Sequence, residues 1–225
     1  MEKITCFDIG DIITLKSHPL FSKTPKKISE FPAQVPPLML IKEVLFENKE
    51  KKKIFSEEIE NTQVADLIKY NCVFFNANRS EFHEKIIYHS FLDGYSNLKY
   101  YRKIEKDKKL KIEIDKQLIA EVSKYQIVSD YLYGDVIQFK TKKLEQRKSY
   151  SSSNERISGN VSFQTPNFVL SGIKNENQTD LFYQNGKEKR KISKQFFKVM
   201  WFNHFQQKFS EHYLPKEFFV KNLEI

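Results

Sequence analysis

The side chains best suited to chemistry in this chain are cations interleaved with rings. Lys140, Lys142, Lys143, Arg147, Lys148 and Arg156 fall on one polar stretch, and Lys187, Lys189, Arg190, Lys191 and Lys194 on another. Tyr150, Tyr183, Trp201 and Phe205 lie among them in sequence. Cations meet phosphates and rings stack on bases, so the pattern points to single-strand or non-specific duplex binding of nucleic acid. The competing reading is that the lysines are solvated and the rings fill a core. Alternation along a strand lets only one of Trp201 and Phe202 be interior.

Other chemistries find less support. Gly10-Asp11 is not followed by a glycine-rich loop opening a helix, and reads as a turn rather than a phosphate cradle. His18, His83, His89, His204 and His212 include no pair spaced four apart, so no metal site is expected. Cys6 and Cys72 fit neither a disulfide framework nor a zinc site, and Cys72, in an apolar run, reads as a small buried hydrophobe. Ser151–Ser153 lacks the strand-to-helix context of a nucleophile elbow. Glu84 and Glu211 occupy matching places where a general acid would fit, but a repeated glutamate near a turn reads as a cap for backbone donors. The residues predict no enzyme, no metal and no cofactor.

The elements that must position these groups occur twice. Gly10-Asp11-Ile12-Ile13-Thr14-Leu15-Lys16-Ser17 returns as Gly134-Asp135-Val136-Ile137-Gln138-Phe139-Lys140-Thr141. Pro37–Ile41 returns as Pro166–Leu170, and Lys49–Ile54 as Lys187–Ile192. Phe75-Asn76, Phe82, Glu84 and Phe91 return 127 positions later as Phe202-Asn203, Phe209, Glu211 and Phe218. Four blocks in one order imply a duplicated unit, with bounds at 1–95 and 128–225 and an ordered connector, 96–127, of one strand and a short helix over Gln117–Tyr125.

Each copy reads as short strands. Asp11–Lys16 alternates after its turn, Leu38–Phe46 runs through a core, and Asn71–Asn76 and Lys198–Asn203 are aromatic-rich and central. Asn185-Gly186 signals a hairpin whose return strand is Glu188–Ile192, matched by Ile54–Ile59 in the first copy. Glu81–Phe91 and Lys208–Phe219 read as a helical turn leading to a short closing strand, Pro215 suiting its start. Long polar connections, 18–36 and 142–165, sit at the same place in both copies, as binding loops do. The expected core is Ile12, Leu15, Leu40, Val44 and Phe74, with counterparts Val136, Phe139, Val169, Ile173 and Trp201.

Composition bounds the rest. The 225 residues include 20 Phe and 11 Tyr, too aromatic for a disordered chain. Asp8 and Asp11 break the N-terminal apolar residues, and no run approaches the roughly 20 apolar residues of a membrane helix, so a cytoplasmic protein without a membrane partner is expected. The formal charge of +9 is uneven: residues 1–95 carry 13 basic against 14 acidic side chains, residues 96–127 carry 9 against 5, and residues 128–225 carry 16 against 10. A polyanion should therefore prefer the second copy.

Ile9–Ser17, Pro36–Val44, Cys72–Phe75 and Phe82 resemble the small bacterial YodC-like family, functionally uncharacterised and similar to an SH3-like barrel. The resemblance covers 7–92 well and 133–219 more weakly, and it implies a fold but no site residues. The expected fold is mainly β, two tandem SH3-like antiparallel barrels. Two functions from different classes follow: contact with nucleic acid through the basic second copy, within a larger complex, or a protein–protein adaptor. The neutral first copy, its proline-bearing loop Pro19–Pro37 and the acidic stretch Glu57–Asp66 suit the adaptor.

Overall fold

The computed structural model describes residues 6–18, 35–47, 68–95, 131–142 and 165–221, and the backbone alone of 101–102, 111–112, 148–151 and 156–159. The strand Ile54–Ile59, the acidic stretch Glu57–Asp66, the helix Gln117–Tyr125, Lys143, Arg147 and most of both long connections lie outside these residues.

Each copy starts from the same turn. Gly10 and Gly134 adopt φ of +79° and +88°, a left-handed conformation that favours glycine. Asp11 and Asp135 then fold their carboxylates back, accepting the amides of Asp8 and Leu132 at 2.7 and 2.8 Å. The glycine amides donate to Ile41 and Leu170 at 2.9 and 2.8 Å, which fixes the turn against the next strand.

From these turns run β1 (Ile12–Leu15), β2 (Met39–Phe46), β3 (Ile68–Asn76), β4 (Glu81–Tyr88) and β5 (Leu92–Gly94) in the first half. Two short strands, β6 (Tyr101–Arg102) and β7 (Lys111–Ile112), pair with each other. The second half contributes β8 (Val136–Phe139), the paired β9 (Lys148–Ser151) and β10 (Arg156–Gly159), then β11 (Phe168–Asn175), β12 (Arg190–Ile192), β13 (Gln195–Asn203), β14 (Lys208–Pro215) and β15 (Phe219–Lys221). The first sheet runs β4-β3-β2-β1-β5 and the second β14-β13-β11-β8-β15. Both are antiparallel and the order is the same, strand for strand. The expected mainly β, antiparallel fold is present in both halves, and neither sheet closes on itself.

Glu81–Phe91 and Lys208–Phe219 are mostly strand, not helical turn. β4 and β14 pair along their whole length with β3 and β13, leaving only His89–Phe91 and Lys216–Phe218 as 3₁₀ turns before the closing strands. Asn76 and Asn203 make these hairpins: Asn76 Oδ1 accepts the amides of Asn78 and Arg79, and Asn203 Oδ1 those of Phe205 and Gln206 at 3.0 and 2.9 Å. Ser80 and Gln207 then close the turns at φ of 54° and 52°.

The two sheets share a core. Each has an inner face, carrying Ile13, Met39, Ile41, Tyr70 and Cys72 in the first and Ile137, Phe168, Leu170, Phe197, Val199 and Trp201 in the second. The first sheet's outer face, with Ile12, Leu40, Val73 and Phe75, packs onto the second sheet's inner face. Phe82 sits at the junction, its ring centroid 5.4 Å from Phe139, 5.6 Å from Phe168 and 5.5 Å from Trp201. Of the expected core, Ile12, Leu40, Val44, Phe139 and Trp201 are buried, Leu15, Phe74 and Val136 are half-buried, and Val169 and Ile173 are exposed.

The return strand of the second copy takes an unexpected partner. The hairpin forms, with Gly186 at φ +76° after the turn and Phe182 bridged to Glu188. Its continuation, β12, pairs with β2 of the first sheet instead of with its own copy, placing Lys191 opposite Val44. β1 covers only the start of β2, so the free amide of Phe46 needs an acceptor, and Lys189 supplies its carbonyl at 2.9 Å.

Candidate interaction surface

The basic residues singled out in sequence divide by position. Tyr183, Lys189 and Arg190 hold the strap 176–194 to the first sheet. The Tyr183 hydroxyl donates to the Phe46 carbonyl at 2.6 Å. Arg190 Nη1 pairs with Glu43 at 3.2 Å, while its Nη2 donates to the Thr179 carbonyl at 3.0 Å. Lys189 pairs with Asp180 at 2.6 Å and holds that carboxyl below the usual carboxylate range. Lys191 is half-buried on β12, and Lys187 and Lys194 are exposed on the same strap.

Lys140 lies elsewhere, half-buried between the halves, and its Nζ donates to the Gly10 carbonyl at 3.2 Å. Burial lowers its pKa, against the pull of Asp11 and Glu217 in the other direction. Lys142 donates to the Asn167 side chain. Lys148, Tyr150 and Arg156 fall on the β9–β10 pair, whose side chains are not among the described residues. The described cations thus form no single patch: some join the two halves, and others project from the strap.

A different surface emerges when the copies are superimposed by strand. Ile12, Leu40, Val73, Phe75 and Phe82 on the first outer face correspond to Val136, Val169, Met200, Phe202 and Phe209 on the second. The first four are 7%, 0%, 0% and 2% exposed, because the second sheet covers them. Of the five counterparts, Val169 is 42%, Phe202 48% and Phe209 72% exposed, while Val136 and Met200 are half-buried. Phe75 and Phe82 meet edge to face at 5.0 Å across β3 and β4, and Phe202 and Phe209 do the same at 5.6 Å across β13 and β14. Tyr133, in the turn before β8, is 81% exposed.

The turns follow the same rule. A Cβ on Gly10 would meet Glu217 Cβ at 2.6 Å, because the second 3₁₀ turn is seated there, whereas Gly134 has nothing within 4 Å.

Glu84 and Glu211 are ion-pair residues, not caps. Glu211 accepts from Lys198 at 2.5 Å on the outer face of the second sheet. Glu84 accepts from Lys42 at 2.6 Å and Asn71 at 3.0 Å, and His212 of the other half stands 3.8 Å away. His212, then Lys42 and Asn71, hold the Glu84 carboxyl down at about 2. An open groove of about 420 Å³ nearby is lined by Glu81, Trp201, Lys208, Ser210 and His212. No hydrogen bond joins Ser210 to His212 among the described residues, so no nucleophile–base pair is assembled there. Burial pushes the Cys72 thiol up to about 12, leaving it a core side chain rather than a nucleophile.

Sequence reading missed the outer face because its residues were sorted by type, not by which sheet covers them. The available signal was the matched spacing of Phe75 and Phe82 with Phe202 and Phe209. No family model, curated protein or solved structure matches this chain. No helix of the described residues is long and apolar enough to cross a membrane.

Proposed function

We propose that this chain is a non-enzymatic cytoplasmic binding protein made of two SH3-like units, and that it works by docking a protein on the outer face of the second unit. The barrel reading is supported by the repeated five-strand order, the long connection after the first strand and the 3₁₀ turn before a fifth strand that returns to the first. The docking reading is carried by one observation. Four apolar positions that the first sheet buries against another sheet, Ile12, Leu40, Val73 and Phe75, and the half-buried Phe82 beside them are all apolar on the second, where Val169, Phe202 and Phe209 are exposed. An aromatic patch of this kind on a folded surface marks an interaction site. The test is affinity capture from the native host with the intact chain and with Phe202→Ser/Phe209→Ser. A protein held by the first and lost from the second supports the reading; identical captures refute it.

A second reading keeps nucleic acid as the ligand of the strap, in a larger complex. It is favoured by Lys187, Lys191 and Lys194, which have no ion pair among the described residues. Binding to a generic oligonucleotide that falls steeply with salt and weakens in Lys187→Glu/Lys194→Glu supports it. No binding at low salt excludes it.

A further inference from the structure

We propose that the outer face of the second sheet is a self-association surface that packs on the same face of a second copy of this chain, about a twofold axis. This rests on the docking reading above and names the occupant. The chain already contains the precedent, since the equivalent face of the first sheet is buried by sheet-on-sheet packing inside one molecule. There it meets an inner face, and neither inner face is open to a second molecule. The second sheet's is filled by the first sheet, and Ile13, Ile41, Tyr70 and Cys72 on the other are 0% exposed. A second copy therefore has its own outer face to offer, like against like.

That face is suited to meeting itself. Phe202 and Phe209 stand among Met200, Val169 and Val136, giving a patch that interdigitates with its mate at the roughly 10 Å spacing of packed sheets. Charges along it are already paired, Lys198 with Glu211 at 2.5 Å and Lys174, over the Tyr213 ring, with Glu176 at 3.0 Å. Two such faces therefore meet without like-charge repulsion at the contact, although the chain carries +9. The Ser171 hydroxyl is satisfied by the Lys198 carbonyl at 3.1 Å, so closure leaves it paired. A twofold contact of one patch with itself is the commonest closed assembly.

The experiment is sedimentation of the full chain from about 1 to 100 µM, a range that spans weak to moderate dimers. The expected result is a concentration-dependent mass reaching twice that of the chain. Phe202→Ser/Phe209→Ser should remain monomeric throughout, weakening association at least about tenfold, which is about 1.4 kcal/mol. Phe209→Lys, which places like charges across the axis, should do the same. Phe182→Ser removes a 61% exposed ring on the strap and should leave the dimer intact. A cooperative urea transition shows that each variant is folded, and its midpoint should match that of the wild type at dilutions where the wild type is monomeric. A monomeric wild type, or a dimer that survives both face variants, overturns the proposal. If the wild type is monomeric yet captures a protein only through this face, self-association fails and docking stands; if capture is also indifferent to the face, both fail.

Discussion

The indole Nε1 of Trp201 donates to the carbonyl oxygen of Ser80 at 2.9 Å, joining the central strand of the second sheet to a turn 121 positions earlier. Asn203 Nδ2 donates to the same oxygen at 3.0 Å. One buried carbonyl therefore receives two donors from the other half. Trp201→Phe keeps most of the ring packing and removes one donor, and should cost about 1 to 2 kcal/mol. Asn203→Ala alone loses the second donor and the turn it forms. Together they orphan the Ser80 carbonyl, so the combined loss should exceed the sum of the two. Urea midpoints of the single and double variants measure this. Simple additivity would mean that the shared carbonyl is not what couples the halves.

Arg190 and Lys194 stand close in sequence and should respond differently. The Arg190–Glu43 pair is 29% and 20% exposed at its side chains, and Arg190 also donates to two strap carbonyls. Discounted for solvent screening, Arg190→Met should cost about 1 kcal/mol. Lys194→Met, an exposed change without an ion pair among the described residues, should stay within about 0.5 kcal/mol. Equal midpoints would show that the strap is held by its backbone pairing alone.

Much of this architecture was legible because duplication supplies an internal check. Ile12 and Val136, or Phe75 and Phe202, report one strand position twice, and the repeated Gly-Asp and Phe-Asn pairs mark turns with the same hydrogen bonds in both copies. What was not legible is which face finds a cover. Leu40 and Val169 hold equivalent positions, yet one is fully buried and the other 42% exposed. Alternation says that residues share a face, but not what packs on that face. The path of β12 was hidden for a similar reason: a short strand rich in Lys and Arg pairs through its backbone, and its side chains do not name the partner.

Gly10 and Gly134 allow the two halves to be compared by one substitution. Both have positive φ, so Gly→Ala carries the left-handed strain of about 1 to 2 kcal/mol at either site. Only at Gly10 does the new Cβ also meet neighbours, Glu217 Cβ at 2.6 Å and the Glu217 carbonyl oxygen at 2.9 Å. Backbone cannot swing aside as a flexible side chain does, so overpacking should add about 1 to 3 kcal/mol. Gly10→Ala should therefore be clearly less stable than Gly134→Ala in thermal or urea unfolding. Equal losses would mean that the second 3₁₀ turn is not seated on Gly10.

His18 should govern the first stage of acid destabilisation. Its ring is 5% exposed, and burial lowers its pKa from 6.5 to about 4. Because the folded value lies below the unfolded one, the unfolded chain takes up the proton first as pH falls. Stability is then complete above 6.5 and lost as pH drops from there towards about 4, by about 3 kcal/mol. Glu84 acts lower: its folded value of about 2 against 4.5 means that its contribution is lost only between those two. Urea midpoints across this range should fall in two stages in the wild type. His18→Leu should flatten the upper stage and leave the lower one. A wild-type profile that is level from 6.5 down to 4.5, where of these two groups the histidine alone acts, would show that His18 is solvated in the folded protein.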